Sequence, residues 1–125
     1  MKRVYLAVFF LCICIALCIF EQYMVESTYK VSEGYVKTAI EYAQQEDYKK
    51  AEEVCTEFAD YWNKRYLALT AMIEHGTLDD ASITINSLED MAKEENDELI
   101  SELITTKNQI KNIRDNQKVT LGNIF

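Results

Sequence analysis

One histidine, His75, and one cysteine beyond the N-terminal apolar stretch, Cys55, are the side chains of this sequence best suited to proton transfer or nucleophilic attack. A nucleophile and its base must come within hydrogen-bond reach. Read along a single helix, the separation of Cys55 from His75 amounts to roughly 30 Å, so the two do not form a pair. A zinc site or a carboxylate-bridged di-iron centre needs several imidazoles or Glu-x-x-His pairs, which one histidine cannot supply. Glu94, Glu95, Asp97, Glu98 and Glu102 crowd one turn, but without an Asp-x-Asp-x-Asp-Gly loop they read as a solvated acidic face rather than a Ca²⁺ site. Neither a glycine-rich phosphate loop nor a Gly-x-Ser-x-Gly elbow is present. The expectation is a protein that is not an enzyme and uses no metal and no cofactor.

What remains is recognition chemistry. Phe58, Tyr61, Trp62 and Tyr66 are the densest aromatic group outside the N-terminal stretch. Phe58, Trp62 and Tyr66 share one helical stripe, which core packing explains, whereas Tyr61 lies off it and reads as exposed. The competing use is as interface anchors. On that use the partner-contact positions are Tyr61, Trp62, Tyr66 and His75, joined by Leu121, Ile124 and Phe125, which either fold back over the domain or meet a partner. His75 beside Gly76 reads as a helix C-terminal residue, where a cation gains about 0.3–1 kcal/mol from the dipole.

These residues must be positioned by helices. The chain has 125 residues, no proline and three glycines, too few breakers for an all-β protein with many tight turns. Every residue from Val4 to Phe20 is apolar, a helix of about 25 Å against a hydrocarbon core of about 30 Å. Lys2 and Arg3 precede the block, and Glu21 and Glu26 follow it, which keeps the N-terminus in the cytoplasm and places the remainder outside. Around Ile19–Met24 the small residues of a signal-peptidase site are missing, and Cys12, Cys14 and Cys18 follow bulky residues unlike a lipoprotein site. An uncleaved single-pass signal anchor over residues 1–20 is therefore expected, with its cysteines serving as small hydrophobes. Cys55, alone outside it, has no thiol with which to form an intramolecular disulfide.

The whole chain carries a net charge of −8, and because its only charges before Glu21 are Lys2 and Arg3, the outer part carries −10. Such a surface repels phosphates, so no nucleic acid is expected as a partner. Within residues 21–117 apolar and small residues recur at helical spacing. Val25, Tyr29, Ser32, Val36, Ala39 and Ala43 continue the anchor helix, with Gly34 a candidate bend. Tyr48, Ala51, Cys55, Phe58, Trp62, Tyr66, Leu69 and Ile73 form a second stripe, with Asp47 as N-cap and Gly76 as C-terminal glycine. Leu78, Ala81, Ile85, Leu88 and Met91 or Ala92 form a third, capped by Thr77. Leu99, Ile100, Leu103, Ile104, Ile110 and Ile113 form a fourth. Residues 118–125 show no helical stripe and read as an extended tail. An echo at an offset of 49 residues, Glu46-Asp47-Tyr48 with Glu95-Asn96-Asp97, implies two antiparallel helical hairpins, and Glu46 to Ala51 is weakly like a tetratricopeptide turn. Two hairpins are too few for a repeat array, so an all-α four-helix bundle is predicted.

The basic start with its single anchor, Glu46-Asp47-Tyr48-Lys49-Lys50-Ala51, Trp62, His75 ahead of Leu78-Asp79, and the ending Lys118 to Phe125 together resemble the bacterial domain-of-unknown-function family 4363 (DUF4363). The resemblance spans essentially the whole chain. It implies a membrane-anchored helical protein of the bacterial envelope, with no assigned activity and no site residues to carry over. The function expected is a non-catalytic interaction module outside the membrane with an envelope or membrane protein as partner; the alternative is a groove for a peptide, lipid or small ligand.

Overall fold

The computed structural model describes all residues except Met72, Glu74 and Phe125, and side chains up to Asn116. Four helices follow one another: α1 (Lys2–Gln44), α2 (Tyr48–Thr70), α3 (His75–Lys93) and α4 (Leu99–Ile124). Each packs on its neighbours in sequence, and α4 returns to α1, closing a ring around one core. The connections are short, so adjacent helices run antiparallel, and the described secondary structure is entirely helical.

Spacing alone explains which face of each helix turns inward. On α1, Val25, Tyr29, Ser32, Val36, Ala39 and Ala43 are buried, and on α3 Leu78, Ala81, Ile85, Leu88 and Ala92. Steps of three and four residues keep each row on the seam facing its partner helices. On α2 the buried residues are Ala51, Cys55, Phe58, Ala59, Trp62 and Leu69, with Tyr48, Tyr66 and Ile73 half-covered against them. Helix α4 departs from the predicted stripe. Ile104 is 47% exposed, and Thr106 takes the inward position with no exposed surface. The row Leu99, Leu103, Thr106, Ile110 and Ile113 keeps the alternating step, and the threonine donates its hydroxyl to the Glu102 carbonyl at 2.8 Å, leaving its methyl to the core.

Gly34 does not break α1, which runs on past it as one helix. The α2–α3 junction also differs from the sequence reading. Helix α2 ends at Thr70 with Ala71 still in right-handed conformation, and Ile73 N–H donates to the Leu69 carbonyl at 2.9 Å. Helix α3 starts at His75, so Gly76 and Thr77 lie inside its first turn rather than capping either helix, and Gly76 has no positive φ. Among the described residues of this junction none has a positive φ, the conformation for which glycine is favoured. His75 therefore stands at the N-terminal, positive end of α3, where the dipole offers a cation nothing favourable. Residues 118–124 are likewise helical, correcting the extended tail; Phe125 lies outside the described residues. A helix already formed extends through one glycine for about 1 kcal/mol, and no proline stops it.

The left-handed residues sit elsewhere. Glu46 (φ 60°) and Glu95 (φ 53°) end α1 and α3. At the first, Glu46 N–H donates to the Ala43 carbonyl and Asp47 N–H to that of Tyr42; at the second, Glu95 N–H donates to Ala92 and Asn96 N–H to Met91. Both are complete Schellman motifs with glutamate where glycine is usual. The next residue then starts the following hairpin arm: an Asp47 oxygen accepts from Lys50 N–H at 3.4 Å, and Asn96 Oδ1 accepts from Glu98 N–H at 2.9 Å. The sequence echo is thus one turn built twice.

A left-handed glutamate costs roughly 1–2 kcal/mol, and glycine's extra unfolded-state freedom returns about 0.5–1 of it. Glu46→Gly and Glu95→Gly are each expected to raise unfolding stability in urea by about 0.5–1 kcal/mol, with Glu46→Gln, which removes the charge alone, changing little. Glycine variants no more stable than the glutamine control would refute the strain. Core burial, followed by the charges of Glu89 and Glu52, pushes the Cys55 thiol up from 9.0 to about 12. Above pH 9 the unfolded chain has released this proton while the folded one keeps it. Stability is therefore intact below pH 9 and falls as pH rises toward 12, by about 1.4 kcal/mol per pH unit from this group. Cys55→Ala should show a shallower decline over that window in denaturant titrations, and native Cys55 should resist Ellman's reagent at about pH 8.

Candidate functional site

The sequence-predicted contact residues do not converge. Trp62 is buried, and its indole N–H donates to Ser82 Oγ at 2.7 Å, so it fastens α2 to α3 instead of facing a partner. Tyr66 donates its hydroxyl to the Asp79 carboxylate in the same seam. That bond, with burial and the Asp79 charge after it, raises the phenol above its ordinary value. Asn63 and Asn86 exchange amide hydrogen bonds beside them at 3.0 and 3.3 Å. His75 is exposed at the start of α3, about 22 Å along the axis of α2 from the buried Cys55, so the two remain apart although they are not on one helix. Leu121 and Ile124 lie on the helical backbone of α4 with side chains outside the description, as is all of Phe125.

Tyr61 is different. It is half-buried against α1, its ring 5.9 Å from that of Tyr35, and the Arg65 guanidinium stands 5.4 Å from its centroid. Tyr35 in turn stacks on the buried Phe58 at 5.6 Å with the rings 16° apart. These contacts fix an aromatic wall between α1 and α2. Beside it lies an open groove of about 360 Å³ lined by Val31, Gly34, Tyr35 and Thr38 from α1 and Val54 and Glu57 from α2. Gly34 makes the slot: a Cβ built on it would meet no atom within 4 Å, so space lies over the helix backbone there. The sequence signal for this groove is the second row on α1, Val31, Gly34 and Thr38, which follows the core stripe at the same helical step.

Between Val25, Thr28, Tyr29, Trp62, Leu69, Ile73, Ile110 and Ile113 only about 10 Å³ is left, at the lower limit for one water molecule. Among the described residues no three His, Cys, Asp or Glu side chains gather where they could hold one ion. Toward the apolar N-terminal block, α1 and α4 are joined by a mixed polar contact. The Arg114 guanidinium lies 4.0 Å from the Tyr29 ring centroid, with Nη1 3.9 Å from Glu26 and Nη2 3.1 Å from Asp115.

Beyond this seam α1 presents only its apolar block. The window of strongest hydropathy, mean 2.7, has none of its residues buried by the bundle, and the helix is long and apolar enough to cross a membrane. Comparison with curated proteins and with solved structures gives no match. The model of a family described as "Domain of unknown function (DUF4363)" matches residues 18–124, which takes in the whole bundle and the last residues of the apolar block. The chain belongs to the DUF4363 family.

Proposed function

We propose that α1 anchors this protein in a membrane as a single uncleaved span, N-terminus in the cytoplasm, and that the bundle outside binds another envelope protein through the α1–α2 groove. The observation that carries the anchoring is the exposure of the whole Val4–Leu17 stretch in a chain that buries its other apolar stripes. Left in water, that surface would cost far more than the bundle's stability, so lipid is its natural cover. Lys2 and Arg3 on one side and Glu21 and Glu26 on the other supply the orientation.

An interaction role is favoured over a ligand chamber by the nearly filled space between Val25, Trp62, Leu69 and Ile113, and over catalysis by the separation of His75 from Cys55 and the strongly disfavoured Cys55 thiolate. The groove combines the ring edge of Tyr35, the exposed Val31 and a glycine floor, features that admit a partner helix or loop close to the backbone. With an outer domain this acidic, the fitting partner surface is apolar at its centre and basic or neutral at its rim.

Photoreactive amino acids at Val31, Thr38 and Val54 in living cells should form a discrete adduct with one protein, whereas the exposed Ile83 on α3 should not. Crosslinks from Ile83 with none from the groove would overturn the assignment. For topology, Lys49→Cys at the far end of the bundle should react with a membrane-impermeant maleimide in intact cells; reaction only after lysis would reverse the orientation.

A further inference from the structure

The geometry points to a second membrane contact: we propose that the last turns of α4 lie in the membrane–water interface, against the outer end of the apolar block of α1. This inference rests on the anchoring proposed above. Its basis is the register of the α1–α4 seam. Arg114 meets Glu26 at 3.9 Å and the Tyr29 ring at 4.0 Å, and Ile110 and Ile113 share one small space with Val25 and Thr28. The helices are antiparallel, so α4 moves toward the anchor as α1 moves away from it.

From Arg114 to Ile124, α4 advances about 15 Å, whereas α1 covers only about 9 Å from Glu26 back to Phe20. The end of α4 therefore reaches past the edge of the apolar block by about 6 Å, within the roughly 5–10 Å to which interfacial helices sink at the headgroup–acyl boundary. The burial of α1 independently records something passing there. Cys18 and Glu21 are half-buried on the face that continues Val25, Thr28 and Ser32, while Ile19, Phe20 and Tyr23 on other faces remain 56–71% exposed. Helix α2 ends at Thr70, with Leu69 and Ile73 at the level of Val25 and Tyr29, and of the described elements α4 continues beyond it. The composition of this stretch suits the place. After Asp115 there is no acidic side chain, and Lys118, Val119, Leu121 and Ile124 replace the carboxylates that dominate both turns at the opposite end. One basic residue with bulky apolar ones is the make-up of interfacial segments.

The test places an environment-sensitive nitrobenzoxadiazole label on the full chain, with Cys12, Cys14 and Cys18 changed to alanine, in phosphatidylcholine vesicles. Labels at Ile124→Cys and, separately, Leu121→Cys should be quenched about threefold more by shallow acyl-chain spin labels than one at the exposed Lys111→Cys, and should be shielded from iodide. Flotation of the vesicles reports anchoring separately. Protein that floats with water-like, iodide-quenched emission at both 121 and 124 overturns this inference and leaves the anchor standing. Protein that does not float overturns the anchor and this inference together.

Discussion

Because α1 is one uninterrupted helix, its first half needs a covering that the bundle does not supply, while its second half forms a wall of the bundle core. Every other element adjusts to that division. Helix α2 flanks the inner stripe of α1 from the level of Val25 onward and α4 from nearer the apolar block, and α3 closes the ring from the far side. The apolar block stays open to its surroundings not because it fails to pack but because the partner helices are arranged around the other end. Its boundary is sharp: Phe20 is exposed and apolar, and Val25 is already in the core.

Within the bundle the seams differ in kind. Between α2 and α3, Trp62, Tyr66 and Asn63 each reach a specific acceptor or donor on α3, so register is set by hydrogen bonds at the edge of a dry core. Between α1 and α4 the interior is more polar: Thr28, Ser32 and Thr106 are all buried. The hydroxyls of Thr28 and Ser32 find no partner among the described residues, a cost of about 1–3 kcal/mol for each such group. Arg114 bridging Tyr29 and Glu26 ties the same seam together.

Most of this architecture was legible in the residues. A step of three and four is the direct imprint of helix geometry, so the stripes of α1, α2 and α3 name their own buried residues. The failures share a cause: size and residue type were weighed over register. Ile104 looked more like core than Thr106, yet the even spacing from Leu99 to Ile113 selects the threonine, whose hydroxyl is satisfied within its own helix. Gly76 looked like a cap because glycine ends many helices, whereas the left-handed positions fell to Glu46 and Glu95, which carry no compositional signal. The aromatic stripe placed Phe58, Trp62 and Tyr66 inward and Tyr61 off it, but not which helix each would meet: Trp62 reaches α3, and Tyr61, read as exposed, is half-buried against α1. The α1–α2 groove is a feature of absence, made where two helices leave space over Gly34: the row Val31, Gly34 and Thr38 marks one wall, but the helix that supplies the other wall is not written in that row.

The unbroken course of α1 past Gly34 has a mechanical side. A helix without a joint transmits tilt and rotation from one end to the other, so the bundle has no freedom to swivel on its stem. The acidic turn after Gln44 stands about 36 Å along the axis from Phe20. With the apolar block held in a membrane as proposed, a change of about 10° in its inclination would swing that tip sideways by about 6 Å, as a lever does, without altering a single contact inside the bundle. The short apolar block, about 5 Å less than a typical hydrocarbon core, resists such leaning, since tilting shortens its reach still further. Membrane thickness would then govern how upright the outer domain stands.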